Sequence, residues 1–408
     1  MNRKTRQISV LYSFPHRLGA QRICYTAWQQ VNGLAQAGAN VHVMAASIER
    51  PVPASVKVTP TLTLGSLRIP FRLIGNRRAF ALHDHLVAKR LESLRDSIDV
   101  VHTWPQGARR TLEVAAKLGI PTVLERPNAH TRFAYETVRT ECDRIGVPLP
   151  PGHEHAFDEE ILRLEEEEYE RAFRLLCPSD FVVETFRDKG FASEKLIRHI
   201  YGFDETTYYP PAKPRSLDGG LVALFVGVCA VRKGVHLALQ AWLDSPAHRD
   251  GKFLIAGEFL PAYESKLSSM LAHPSVYVLG HRTDVPDLMR QSDILLLPSI
   301  EEGFGLVCTE AMGSGCVPLV SDACTDLCRH MDNALVHHAG DVAQLTEHIE
   351  RIHDDRHLLA SLRSNGLLLA PEITWRAAGQ RLRDAYCDAL DAYRQSQPQA
   401  AARDATPA

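Results

Sequence analysis

Ile294-Leu-Leu-Leu-Pro-Ser-Ile-Glu-Glu-Gly-Phe-Gly-Leu-Val-Cys-Thr-Glu310 is the stretch from which the architecture follows. Ile294 to Leu297 are apolar throughout rather than alternating, the pattern of a parallel strand buried on both faces. Gly303 and Gly305 let the backbone turn tightly and approach a ligand, and a helix opens around Leu306. The free amides at such a helix start suit a phosphate. Glu302 falls in the loop and Glu310 about one turn into the helix. Two carboxylates repel phosphate, so the work open to them is accepting hydrogen bonds from sugar hydroxyls. The alternative reading is an ordinary strand–loop–helix turn with Glu302 on the surface.

A second stretch of this kind lies upstream, Phe225-Val-Gly-Val-Cys-Ala-Val-Arg-Lys-Gly-Val-His236. It places Arg232 and Lys233 at the mouth of the same sheet, where a forked guanidinium and a point ammonium can hold a diphosphate. Working outward, the spacing predicts further strands at 221–226, 253–256, 276–279, 318–320 and 334–336. In the first half it predicts strands at 8–14, 41–45, 100–102, 122–124 and 175–178, with helices over 21–37, 79–95 and 107–118. Strand–helix alternation implies parallel sheets between helices, wound both ways from the centre. Pro210, Pro211, Pro214 and Gly219–Gly220 interrupt the pattern. The expected division is a first Rossmann-like domain over 1–207, a second over 208–372, and a terminal helix with a frayed tail over 373–408. Ligands bind at the carboxyl edges of such sheets, here facing each other across a cleft.

The 408 residues exceed the size at which single cores stop growing, about 250–300, in line with two domains. A net charge of −3 gives no global field for nucleic acid, so anions must be met by local charge. The longest uncharged apolar run falls well short of the roughly 20 residues of a membrane span. Nine scattered cysteines point to a reducing, cytoplasmic compartment.

Taken together, Gly227…Arg232-Lys-Gly234, Glu302-x7-Glu310 and the following Ala-Met-Gly-Ser-Gly-Cys-Val-Pro318 resemble the retaining glycosyltransferases of family 4, of GT-B architecture. Cys177-Pro-Ser179, Tyr201-Gly-Phe-Asp204, Gly280-His-Arg282 and Ile373-Thr-Trp375 extend the likeness. The resemblance implies a UDP- or GDP-linked sugar donor, a hydroxyl acceptor on the first domain, and a final helix crossing back to that domain. It assigns Arg232 and Lys233 to the diphosphate, Glu302 to the transferred sugar and Glu310 to the ribose. Gly227 and the amides of Gly303, Phe304, Gly305 and Leu306 line the phosphates, and His281 and Arg282 lie against the base. His130, in Glu125-Arg-Pro-Asn-Ala-His130, corresponds to an active-site histidine near the sugar. Gly19, in the first strand–helix turn, approaches the diphosphate or the acceptor.

No Asp-x-Asp pair is present to hold a divalent ion, so a metal-independent, cofactor-free reaction is expected. The absence of Gly-x-Gly-x-x-Gly after the first strand disfavours a nicotinamide or flavin enzyme. The run Glu165–Glu168 reads as an exposed helix face, His153-x-His155 as loop, and Cys324-x3-Cys328 as no zinc site. His102 is a weaker second candidate to His130. The segment 68–95 mixes Arg68, Arg72, Arg77, Arg78, Lys89, Arg90 and Arg95 with apolar residues, open to a peripheral membrane contact or an ordinary surface. The alternatives to a transferase are a nucleotide-sugar epimerase and a non-catalytic nucleotide-sugar-binding partner.

Overall fold

The computed structural model describes residues 7–64, 67–68, 74–213, 215–216 and 218–397. Its first sheet is built from β1 (Ser9–Leu18), β2 (Asn40–Ile48) and β3 (Lys57–Pro60). A two-stranded antiparallel ribbon, β4 (Thr63–Leu64) with β5 (Leu67–Arg68), stands apart from it. The sheet continues with β6 (Val100–Thr103), β7 (Thr122–Glu125), β8 (Arg174–Cys177) and β9 (Leu196–Arg198). The second sheet comprises β10 (Val222–Val226), β11 (Lys252–Ala256), β12 (Val276–Gly280), β13 (Ile294–Leu297), β14 (Val317–Ser321) and β15 (Leu335–His337).

All pairings within the two sheets are parallel, in the orders β3-β2-β1-β6-β7-β8-β9 and β12-β11-β10-β13-β14-β15. Each sheet starts near its middle, winds outward, and returns to the other side of its first strand. The reversal falls between β1 and β6 in one and between β10 and β13 in the other. Crevices open at such reversals, beyond the carboxyl ends of the strands.

The apolar runs became the central strands: all four residues of β13 and of β6 are buried. The short edge strands β3 and β9 were not expected. β1 also runs four residues past the expected Phe14, because its pairing with β2 resumes beyond an irregularity between Phe14 and Arg17. The first sheet is left at Arg198 and the second entered at Val222. The final helix, Trp375–Ser396, crosses back onto the helix Ile23–Gln36. The crossing is set by two glycines: a Cβ on Gly33 would stand 2.8 Å from the Trp375 carbonyl oxygen and 2.9 Å from the Gly379 Cα. Leu382, Tyr386 and Leu390 thereby enter the same core as Val10, Tyr12 and Val31.

The expected exposed face at Glu165–Glu168 is corrected. Glu166 and Glu167 pair outward with Arg132 and Arg109, but Glu165 and Glu168 are buried. Glu168 accepts from the backbone amides of Gln106 (2.7 Å) and Ala108 (2.9 Å), covering donors at the start of the helix Arg109–Leu118. Glu165 takes Arg126 Nη1 at 3.0 Å and the Tyr169 hydroxyl at 2.8 Å. Four consecutive glutamates on a helix point in different directions, and here two of them meet buried donors.

In segment 68–95, Ile69, Phe71, Arg72 and Leu73 lie outside the described residues. Phe80 is buried against Ala46 and Leu62, and Arg77 pairs with Asp158 and Glu160. Arg78, Lys89, Arg90 and Arg95 are exposed. Among the described residues no helix is long and apolar enough to cross a membrane.

Candidate functional site

The loops that follow β10 and β13 meet at the reversal of the second sheet. Their backbones are joined by Ile300 N donating to Arg232 O at 2.9 Å. Contact this close requires Gly234, where a Cβ would collide with the Pro298 carbonyl. Gly303 does the same toward the first domain, its Cα lying directly against the Pro127 carbonyl. The loop after β13 is thus wedged between Arg232–Lys233 and the turn 127–130.

Four charges are packed into this wedge. Arg232 Nη1 donates to the Glu301 carbonyl (2.9 Å) and lies 3.3 Å from Glu301 Oε2 and 3.5 Å from Glu302 Oε1. Lys233 Nζ is paired with Glu302 Oε2, which also accepts from Ser299 Oγ at 3.3 Å. Burial pushes the Glu302 carboxyl up, but Lys233 and Arg232 pull harder and hold it at about 2. The Glu301 carboxyl is likewise held below its ordinary value against burial, by His155 and Arg232. The guanidinium of Arg232 is pushed above its ordinary value: burial opposes its charge and the two carboxylates outweigh it. The cluster is neutral overall, its carboxylates buried and its cations partly exposed, with each cation facing a carboxylate that a phosphate oxygen can replace.

The first domain reaches the cluster through Glu301. Ala129 N donates to Glu301 Oε1 at 3.3 Å, and His155 Nε2 lies 3.3 Å from Glu301 Oε2. Ser179, which caps the helix Asp180–Arg187, also donates to the Gly303 carbonyl at 2.6 Å. Phe304 is buried edge-on to Tyr201, ring centres 5.3 Å apart. Gly305 precedes the helix Leu306–Ser314, whose first turn no side chain caps.

The other expected residues are placed as follows. Glu310 faces the Tyr208 hydroxyl, with Asp204 and Tyr25 nearby; burial raises its carboxyl to about 7. Gly227 follows β10 directly, on the approach to Arg232. His281 and Arg282 follow β12 at the same sheet edge, exposed, with Arg282 Nε 2.8 Å from Asp284 Oδ1. Gly19 follows β1 directly and its carbonyl accepts from Arg50 Nε at 2.8 Å. His130 is brought to the cluster only through its neighbours. Its ring is buried among Tyr169, Phe186 and Phe191, Nδ1 accepts from Arg132 N (3.3 Å), and burial lowers it to about 3. His102 is buried with Nδ1 2.7 Å from the Tyr386 hydroxyl, and burial lowers it also to about 3. Cys324 and Cys328 are buried, and among the described residues no group of three or more His, Cys, Asp or Glu side chains is arranged to hold a metal ion.

Glu301 and His155 join the charged cluster, and the sequence reading gave neither a role in it. Glu301 carried a signal in its adjacency to Glu302. His155 carried none, since its partner lies in the other domain.

The two facing sheets and the crossing helix are those of GT-B glycosyltransferases. Sucrose-phosphate synthase from Thermosynechococcus elongatus superposes with a TM-score of 0.68 at 17% identity, over 95% of this chain and 100% of that one. Residues 220–355, which hold the whole Arg232–Glu302 cluster, match the family described as glycosyl transferases group 1. The lipopolysaccharide core biosynthesis mannosyltransferase LpsB of Rhizobium meliloti (strain 1021) is 28% identical over 189 residues, 41% of this chain and 53% of that protein. The 2-deoxystreptamine glucosyltransferase of Streptomyces kanamyceticus is 31% identical over 177 residues, 40% and 45% of the two chains. The chain spans about half the length of the curated relatives it matches.

Proposed function

We propose that this protein is a retaining, metal-independent glycosyltransferase of family 4, moving a sugar from a UDP- or GDP-linked donor to a hydroxyl acceptor in glycan or glycoconjugate biosynthesis. The observation that carries the reading is the pairing of Arg232 and Lys233 with Glu301 and Glu302 at the sheet reversal, inside the segment similar to group 1 glycosyl transferases. A donor diphosphate takes over the two cations, and Glu302, released from Lys233, accepts hydrogen bonds from hydroxyls of the transferred sugar. The uncapped amides at Phe304–Leu306 and the turn at Gly227 line the phosphates. Glu310 accepts from the ribose hydroxyls and His281–Arg282 flank the base. Gly19 and His130 border the sugar from the first domain.

In the reaction the acceptor oxygen bonds to the anomeric carbon from the face the leaving group departs. The bond from that carbon to the phosphate oxygen breaks, and the diphosphate keeps the electron pair and takes the hydroxyl proton. Arg232 and Lys233 stabilise the charge gathering on the leaving group. The similar proteins are named a mannosyltransferase and a glucosyltransferase, so both donor bases belong in the test. The protein acts in the cytoplasm, and the exposed Arg78, Lys89, Arg90 and Arg95 favour a peripheral contact with anionic lipid. Co-sedimentation with anionic vesicles at low salt checks that contact, and a protein left in the supernatant refutes it.

The deciding experiment is a thermal-shift series with UDP, GDP, ADP, TDP and CMP, each with and without EDTA. A ligand that binds the folded state raises the melting temperature by mass action. A selective, EDTA-insensitive rise with UDP or GDP is expected. No rise with any of the five overturns the donor-site assignment.

A further inference from the structure

The helix Thr131–Ile145 belongs to the first domain but lies against the second. Val138, Cys142 and, just beyond its end, Val147 share one core with Val231, Val235 and Ala238. Beside this apolar contact a polar one crosses the boundary: His236, in the first turn of the helix Val235–Asp244, sets Nε2 2.7 Å from Glu141 Oε1. We infer that Glu141 and His236 are positioning residues, a hydrogen-bonded pair that fixes the turn 127–130 of the first domain against the Arg232–Glu302 cluster of the second. The consequence for turnover rests on the transferase reading above; the positioning itself is a property of the two domains.

Three observations carry it. The first is that the pair is directed. Tyr263 Oη accepts from the His236 amide at 2.8 Å and stands 2.6 Å from Nδ1; burial pushes its hydroxyl up, so it keeps a proton to donate there. Nδ1 is thereby an acceptor, and Nε2 carries the ring proton toward Glu141. Glu141 is in turn gripped by Arg144, whose Nε lies 2.8 Å from Oε2. Burial pushes the Glu141 carboxyl up, but Arg144 and His236 hold it at about 2.

The second observation is what each partner is attached to. His236 stands just after Arg232 and Lys233 in the chain, and the turn Val231–Lys233 itself touches the helix Thr131–Ile145. From Glu141 that helix runs roughly 16 Å back to its N-cap, His130. Ala129, next to the cap, donates its amide to Glu301. The third is the kind of contact. Apolar packing has no direction and lets two surfaces slide, whereas a buried hydrogen-bonded pair adds little stability and sets register. The boundary is held again on the opposite side of β13, past β14, where Asp326 accepts from Asp180 N at 3.0 Å. With the Glu141–His236 pair gone, the first domain can pivot about that remaining hold.

The test compares the parent, Glu141→Ala and Glu141→Gln in the full chain by amide hydrogen exchange. Glutamine keeps an acceptor for the Nε2 proton, and alanine does not. Expected in Glu141→Ala is exchange about tenfold faster over 127–132, where the Ala129 amide reports docking on Glu301, with the parent rate restored in Glu141→Gln. Faster exchange confined to 138–145 and 235–238 overturns the inference, and so does a glutamine variant that exchanges like alanine. As a second readout, release of UDP from UDP-glucose or of GDP from GDP-mannose should fall about tenfold in kcat with KM unmoved, because Arg232 and Lys233 both lie on the second domain. A raised KM with kcat kept also overturns it. The failure of the donor reading looks different: the parent neither binds UDP or GDP nor turns over either donor, while the exchange pattern still decides the positioning.

Discussion

Glu125, at the end of β7, and Glu302, after β13, are both buried carboxylates at the carboxyl edge of a parallel sheet, yet their partners differ in kind. Glu125 is held by Gln30 Nε2 (2.9 Å), the Tyr201 hydroxyl (2.8 Å) and His199 Nε2 (2.8 Å), all from the first domain and its exit segment. Glu302 is held by Lys233 and Arg232, each of which keeps an edge to solvent. The first arrangement is closed, since Gln30, His199 and Tyr201 are all buried with the carboxylate. The second is exchangeable, because a phosphate can satisfy the same cations. A buried carboxylate at a sheet edge thus marks structure in one domain and a candidate site in the other, and the charge of its partners tells them apart.

The largest effect expected from this comparison is at the closed site. Glu125→Ala strands three buried donors and should cost about 3–5 kcal/mol, read from the midpoint of chemical denaturation. Glu302→Ala should cost no more than about 2 kcal/mol, since its cations can turn to water, and UDP or GDP should then stabilise the variant more than the parent. Equal losses at both positions would break the distinction. Next in size, Lys233→Ala should lower turnover about 100-fold while shifting the folding midpoint little.

Glu310→Ala should weaken donor binding about tenfold. Its pH behaviour sharpens the point. With the folded carboxyl at about 7 against an ordinary 4.5, the folded state holds the proton more tightly than the unfolded one. Ligand-free stability therefore falls as pH rises from about 4.5 to about 7, while donor affinity rises over the upper part of that window as the carboxylate forms. Calorimetry on Glu310→Gln should show both slopes flattened. The smallest effect is expected at Arg282→Ala: its pair with Asp284 is exposed, and the denaturation midpoint should not move measurably.

The central strands were legible because a strand buried on both faces must be apolar throughout, as Ile294–Leu297 is. Lys57–Pro60 and Leu196–Arg198 were not, since an edge strand needs only a few backbone bonds and tolerates Lys, Pro and Arg. Arg232, Lys233 and Glu302 were legible as members of two loops at one sheet edge. Their direct pairing was not, because 69 residues separate the partners and only the folded sheet sets the loops side by side. The same holds for Glu165 and Glu168, whose partners lie in other segments, and for His155, whose partner lies in the other domain.

The crossing helix bears on how the chain comes to be folded at all. Domains generally fold as units during synthesis, the earlier ahead of the later. Here Leu382, Tyr386 and Leu390, made about 370 residues after Val10 and Tyr12, fill the core that those two begin. The second domain's core takes only the start of that helix, Trp375 and Ala378, and can close while the first still waits. Birth order and completion order are opposed, and a nascent chain halted before Trp375 presents an open apolar flank to every chaperone and protease it meets.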